Sequence, residues 1–188
     1  MSGSIELVLL KCPQCSTPLP AEEDEIAWLC ANCGAGWQLT DTGLAPQVVR
    51  WMAAPANTRP ESWRPIWVFA ARVAFQQRLN WQRAADPEQL WQRPVRFYVP
   101  AYTCPLEHLE QLGAQLTRNQ TVFPLGPAQG VIKGVSLLPE DAKAAAEFVV
   151  LTIEAERKDK LKQVSFTISA GPPDLWLVPY QGDRPLVA

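Results

Sequence analysis

Four of the five cysteines in this chain form two pairs of the same spacing, Cys12 and Cys15 in "CPQC" and Cys30 and Cys33 in "CANC", with residues 16–29 between them. A two-residue gap lets one tight turn aim two sulfurs at a common point while its backbone amides bond back to them. Two such turns set face to face make a closed tetrahedral site of four thiolates, which is what structural zinc takes. Iron accepts the same ligand set; zinc is the expected occupant and iron the alternative. Pro13 stiffens the first turn, and Gly34 permits the positive φ that such a turn needs after its last cysteine. The apolar runs "IELVLL" (5–10) and "IAWL" (26–29) are the expected strands leading into the two turns.

Compartment decides how clustered thiols behave: they bind metal where conditions are reducing and pair as disulfides where they are not. The opening "MSGSIELVLLKCP" has no basic segment ahead of its apolar run and no small-residue cleavage site, so it does not read as a signal peptide. The longest apolar run elsewhere, "PIWVFAARVAF", is broken by Arg72 and falls short of the ~20 residues that span a bilayer. A soluble cytoplasmic protein is the expectation. Redox dithiols are the competing use of C-x-x-C, but they come as one pair at a helix N-terminus in a βαβ setting. Two pairs argue for metal.

Residues 5 to about 45 resemble a zinc ribbon, the rubredoxin-type double knuckle found in many transcription and translation proteins, with "CPQC" and "CANCG" as the motif residues. The sequence departs from that pattern at Ser16, where glycine is usual. Four cysteines close the coordination shell, so the metal has a structural task, stapling a module too small to bury enough apolar surface alone. Nucleic-acid binding is the usual work of such modules, and charge argues against it here. Residues 1–50 set Lys11 and Arg50 against Glu6, Glu22, Glu23, Asp24, Glu25 and Asp41, a net of −4. Thiolates add more negative charge, and phosphate is repelled.

"APANTRPESWRP" (54–65) reads as a linker or extended crossing segment, dividing the ribbon over 1–50 from a second unit over 51–188. In that unit Trp67, Phe69, Ala71, Val73 and Phe75, then Leu79 and Trp81, alternate with Arg72, Gln76, Arg78 and Asn80. The period of two predicts one long strand with Trp67 and Trp81 on its buried face. "PVRFYVPAY" and "GVIKGVSLL" are further expected strands, and "KQVSFTIS" and "DLWLVPY" close the chain around the turn "AGPP". "CPLEHLEQLGAQL" places Leu106, Leu109, Leu112 and Leu116 along one helical face behind Pro105. "PEDAKAAAEFVVLTIEAER" opens with Pro139, Glu140 and Asp141, all suited to a helix N-terminus. The expected fold is α+β, a zinc ribbon followed by a mainly antiparallel sheet with two packed helices.

Chemistry outside the ribbon is sparse. Cys104 and His108 stand four apart at a helix start, where the dipole favours a thiolate. The plainer reading, a small buried thiol and a solvent-facing imidazole, is preferred, because a nucleophile also needs a base, an orienting group and an oxyanion site. No Gly-rich phosphate loop, H-E-x-x-H or G-x-S-x-G occurs, and no enzyme is expected.

The segment from Trp51 to Arg118 has eight arginines, no lysine and five acidic residues, a net of +3, with Trp51, Trp63, Trp67, Trp81 and Trp91 interleaved. Such a mixture holds single-stranded nucleic acid, supplies hot spots at protein interfaces, or fills a core. Trp63 and Trp91, with Arg93 and Arg96, are the candidate interface residues. The leading expectation is a non-enzymatic adaptor or scaffold acting through another protein or through self-association, its acidic ribbon complementing its basic segment. The alternative is single-stranded nucleic-acid binding through residues 51–98.

Overall fold

The computed structural model of the protein describes residues 10–81, 86–129 and 134–187. Its axis is β5 (Ser62–Asn80), which opens inside the segment expected as a linker. Trp67, Phe69, Ala71 and Val73 are buried along it while Ala70, Arg72 and Ala74 are exposed, as a pleated strand with one covered face requires. On one edge β5 pairs with β6 (Val95–Pro100). On the other it pairs with β7 (Leu161–Ala170) and β8 (Asp174–Gln181), which lie end to end as one strand interrupted at residues 171–173. Ala71 shows the arrangement, facing Val95 on one side and Ala170 on the other. β4 (Val49–Trp51) and β9 (Arg184–Pro185) pair with β8, and only the β4–β8 pairing is parallel.

Two helices complete the α+β fold expected from the sequence. α1 (Leu106–Asn119) runs along β6, and α2 (Pro139–Ala155) packs beside it. Gly113 is where they meet: a β-carbon there would sit 2.7 Å from Val149 Cγ2 and 3.0 Å from the Tyr98 carbonyl oxygen. α2 covers one face of the sheet, its Val149 and Ile153 packed in a core with Trp67, Phe69, Phe97 and Leu177. The other face carries a smaller core of Ile66, Val68, Tyr98 and Tyr180, closed by Leu112 and Leu116 of α1. No helix among the described residues is long and apolar enough to cross a membrane.

The period of two breaks near the end of β5, and three expectations change with it. Between Phe75 and Gln77 the pairing with β7 shifts by one residue, a bulge that exchanges the strand's faces. Arg78, expected on the polar side, is buried; Trp81, expected in the core, is 69% exposed, with Lys162 Nζ 5.9 Å from its ring centroid. Arg78 Nε donates to Glu154 at 2.5 Å, and its two terminal nitrogens donate to Asp159 at 2.5 and 2.8 Å. Glu154 also accepts from the indole N–H of Trp91 and the backbone N–H of Glu88, both at 2.8 Å. Trp91, an expected interface residue, is therefore core: it is buried and stacks on Phe97 at 5.9 Å. Of the expected strand "GVIKGVSLL", residues 130–133 lie outside the described residues, and 134–138 form a connecting segment rather than a strand. Residues 5–9 of "IELVLL" also lie outside them.

Candidate metal centre

A separate three-stranded antiparallel sheet, β1 (Ala27–Leu29), β2 (Gly36–Thr40) and β3 (Gly43–Pro46), supports the cysteine turns. The two turns are copies of each other. In the first, Ser16 N–H donates to the Cys12 carbonyl (2.8 Å) and Cys12 N–H to the Thr17 carbonyl (2.8 Å). In the second, Gly34 N–H donates to the Cys30 carbonyl (2.9 Å) and Cys30 N–H to the Ala35 carbonyl (2.9 Å). The residue after each second cysteine is left-handed, Gly34 at φ 72° and Ser16 at φ 62°. Serine therefore keeps the turn that glycine would make, at the expense of its Cβ. Ser16→Gly is expected to raise stability to urea by on the order of 1 kcal/mol, less what glycine gains in the unfolded chain. A loss of stability would show that the Ser16 side chain contributes something the turn geometry does not reveal.

The two turns bring their sulfurs together. All four Sγ atoms lie within 4.8 Å of one another, with Cys12–Cys33 at 3.6 Å and Cys15–Cys30 at 3.4 Å. A tetrahedron with metal–sulfur bonds of about 2.3 Å has edges of about 3.8 Å, so the cluster has the size of a single-metal site. None of the four is joined in a disulfide, and Cys12 and Cys30 are buried. The Thr17 hydroxyl, 3.4 Å from Cys15 Sγ, is the main influence holding that thiol down at about 5, with the Asn32 side chain assisting. For Cys33, the Ala35 amide favours the thiolate, but burial and the neighbouring sulfurs outweigh it and push the group up to about 12. Thiols this close do not all ionise unless a cation shares their charge, which is the chemistry of a metal-ligand set.

β1 joins this site to the larger sheet. Trp28 points toward the cysteines and packs with Leu19, Cys12 and Cys30, whereas Ala27 and Leu29 belong to the main core under α2. Ile26 N–H donates to the Val135 carbonyl at 2.8 Å. Glu25, in the acidic run, accepts from the Trp28 indole N–H and the Glu22 amide, both at 3.1 Å, and from the Gly134 amide across the junction. Sequence reasoning missed Thr17 and Glu25. The spacing of Glu25 to Trp28 was the available sign, since a buried indole needs an acceptor.

No family model, curated protein or solved structure matches this chain. Its site is thus read from geometry alone. The other sequence candidates stay apart from the cysteine cluster. Cys104 is half-buried and burial pushes its thiol up, the reverse of dipole activation. His108 Nε2 lies 3.0 Å from the Tyr102 hydroxyl, which in turn is 3.3 Å from that of Tyr180. Trp63 is half-buried, edge-on to Trp51 at 5.3 Å, while Arg93 and Arg96 are exposed.

Proposed function

We propose that Cys12, Cys15, Cys30 and Cys33 hold one structural zinc in a ribbon, and that the protein is a non-enzymatic scaffold that docks another protein chain, a second copy of itself first. Four thiolates fill a tetrahedral shell and leave no position for a substrate, which supports the structural role. The docking part rests on the outer edge of β7. This strand is ten residues long, has no proline and carries one charge, Lys162. Among the described residues no strand pairs with that edge. Open edges add strands, and proteins ordinarily blunt them with prolines, charges or covers. Antiparallel pairing of β7 with its own copy is self-complementary about a two-fold axis and joins two sheets through main-chain bonds.

Elemental analysis of protein purified without chelator should find about one zinc per chain; neither zinc nor iron would end the ribbon reading. Light scattering at tens of micromolar should give the mass of a dimer. Ser165→Lys combined with Ser169→Lys, both at exposed positions of β7, should return it to a monomer by placing like charges along both edges. A monomer at every concentration in the unaltered protein would overturn self-pairing.

A further inference from the structure

The sheet face turned away from α2 has a charge pattern that the docking edge does not use. On β5 and β6 it carries Arg72 and Arg96, with Arg64 paired to Asp183, and no aspartate or glutamate; Asp174 of β8 lies on it too, paired with Arg50. Arg72 and Arg96 are exposed on this face, beside the short side chains of Ala70, Ala74, Thr167 and Ser169. No ion pair among the described residues uses either arginine.

At the head of the face lies a groove of ≈470 Å³, with Val68 and Ala70 as its floor, Arg50 at one end and Arg96 at the other. Arg50 and Arg96 stand on β4 and β6, three strand spacings apart across the sheet and four residues apart along it, or roughly 20 Å. Between them is a wall of rings, of which Tyr98 and Phe123 are buried and Trp176 alone is partly open to solvent. Tyr98, Phe123 and Trp176 follow one another edge to face at centroid distances of 5.1 and 5.5 Å. The Tyr98 hydroxyl donates to the Thr121 carbonyl and so fixes the segment that carries Phe123. Trp176 is half-buried, with the Arg50 guanidinium 6.0 Å from its ring centroid and bonded to Asp174 at 3.3 Å.

We infer that this face binds single-stranded nucleic acid, with a base against Trp176 and phosphates on Arg96 and Arg72. Rings and guanidinium groups along an open sheet face are the elements that hold unpaired strands, because every base has a face to stack and every linkage has a charge. A duplex hides its bases from Trp176, and an acidic peptide satisfies the arginines but leaves that ring unused. Alanines at 70 and 74 let a sugar–phosphate backbone approach the sheet. The acidic ribbon does not contribute.

The test is fluorescence anisotropy of short labelled oligothymidylate and oligouridylate with the full zinc-loaded chain. Saturable binding at low salt is expected, weakening with salt at a log–log slope of about −1.4 if two phosphates are neutralised. Trp176→Ala should weaken it about 5- to 150-fold, the range for one stacked base. Because Trp176 also packs on Phe123, Arg72→Glu with Arg96→Glu provides a pair of exposed changes, expected to lose binding more than tenfold, with Cys104→Ser unchanged as a control. No binding at low salt overturns the inference, as does full binding by the double-arginine variant. Equal binding of a duplex, of heparin or of polyglutamate would also overturn it, showing polyanion attraction alone.

Discussion

Glu154→Ala should cost the protein about 3–5 kcal/mol, a large share of the stability of an ordinary domain. The Glu154 carboxylate is fully buried and joins four donors from separate parts of the chain: Arg78 on β5, Trp91 and Glu88 before β6, and Arg157 after α2. Alanine leaves a void and strands the Trp91 indole N–H and the Glu88 amide without their acceptor, each a penalty of roughly 1–3 kcal/mol. Arg78 keeps its bidentate bond to Asp159, so its charge is not left unpaired. Glu154→Gln retains an acceptor oxygen and should lose less. Urea unfolding of the two variants measures both, and a loss below about 1 kcal/mol for alanine would show that the network is not what holds the bulge.

The same network gives a pH dependence. Hydrogen bonding to Arg78 holds the Asp159 carboxyl below its usual range. Its stabilising effect is therefore complete above about pH 4 and disappears as the pH falls through the lowered folded value. Asp159 is partly open to solvent, so this contribution is smaller than that of Glu154.

How far the sequence discloses this molecule depends on whether a feature is written locally. The cysteine turns are local: two residues between thiols and a left-handed residue after them define the geometry, and even Ser16 marks its position. Both helices are local too, α1 through its leucine spacing and Pro105, α2 through Pro139, Glu140 and Asp141 at its start. What the sequence hides is register. "FQQRLN" breaks the alternation with two glutamines in succession, and that break is the bulge that buries Arg78 and exposes Trp81. Reading the period through it places Trp81 in the core. Trp91 is hidden for a related reason, since its acceptor Glu154 is far along the chain on α2 and only the folded sheet brings them together. The groove between Arg50 and Arg96 depends on strand order, with β8 inserted between β4 and β5. Composition reveals the arginines and tryptophans but not which face they share.

Cys30→Ser tests how much of the fold depends on the proposed zinc. Three thiolates grip the metal far less tightly than four, and in modules of this size metal affinity, about 10–16 kcal/mol for a complete site, is also folding free energy. The turns around Cys12 and Cys30 should come apart, releasing Trp28 and Leu19 from the small core they share with the cysteines. The larger sheet does not escape the change. Leu29 and Ala27 are buried in the main core, and burying a leucine side chain is worth about 1.5–3 kcal/mol. Ile26 and Glu25 also lose their bonds to residues 134–135, opening the junction. The expected result is a protein with no bound metal that retains the far-UV signal of α1, α2 and the β5 sheet, while its melting temperature falls by several degrees. A normal melting temperature would mean that β1 keeps its place without metal. Loss of all secondary structure would mean that ribbon and sheet form one cooperative unit, with Leu29 as the side chain through which one fails with the other.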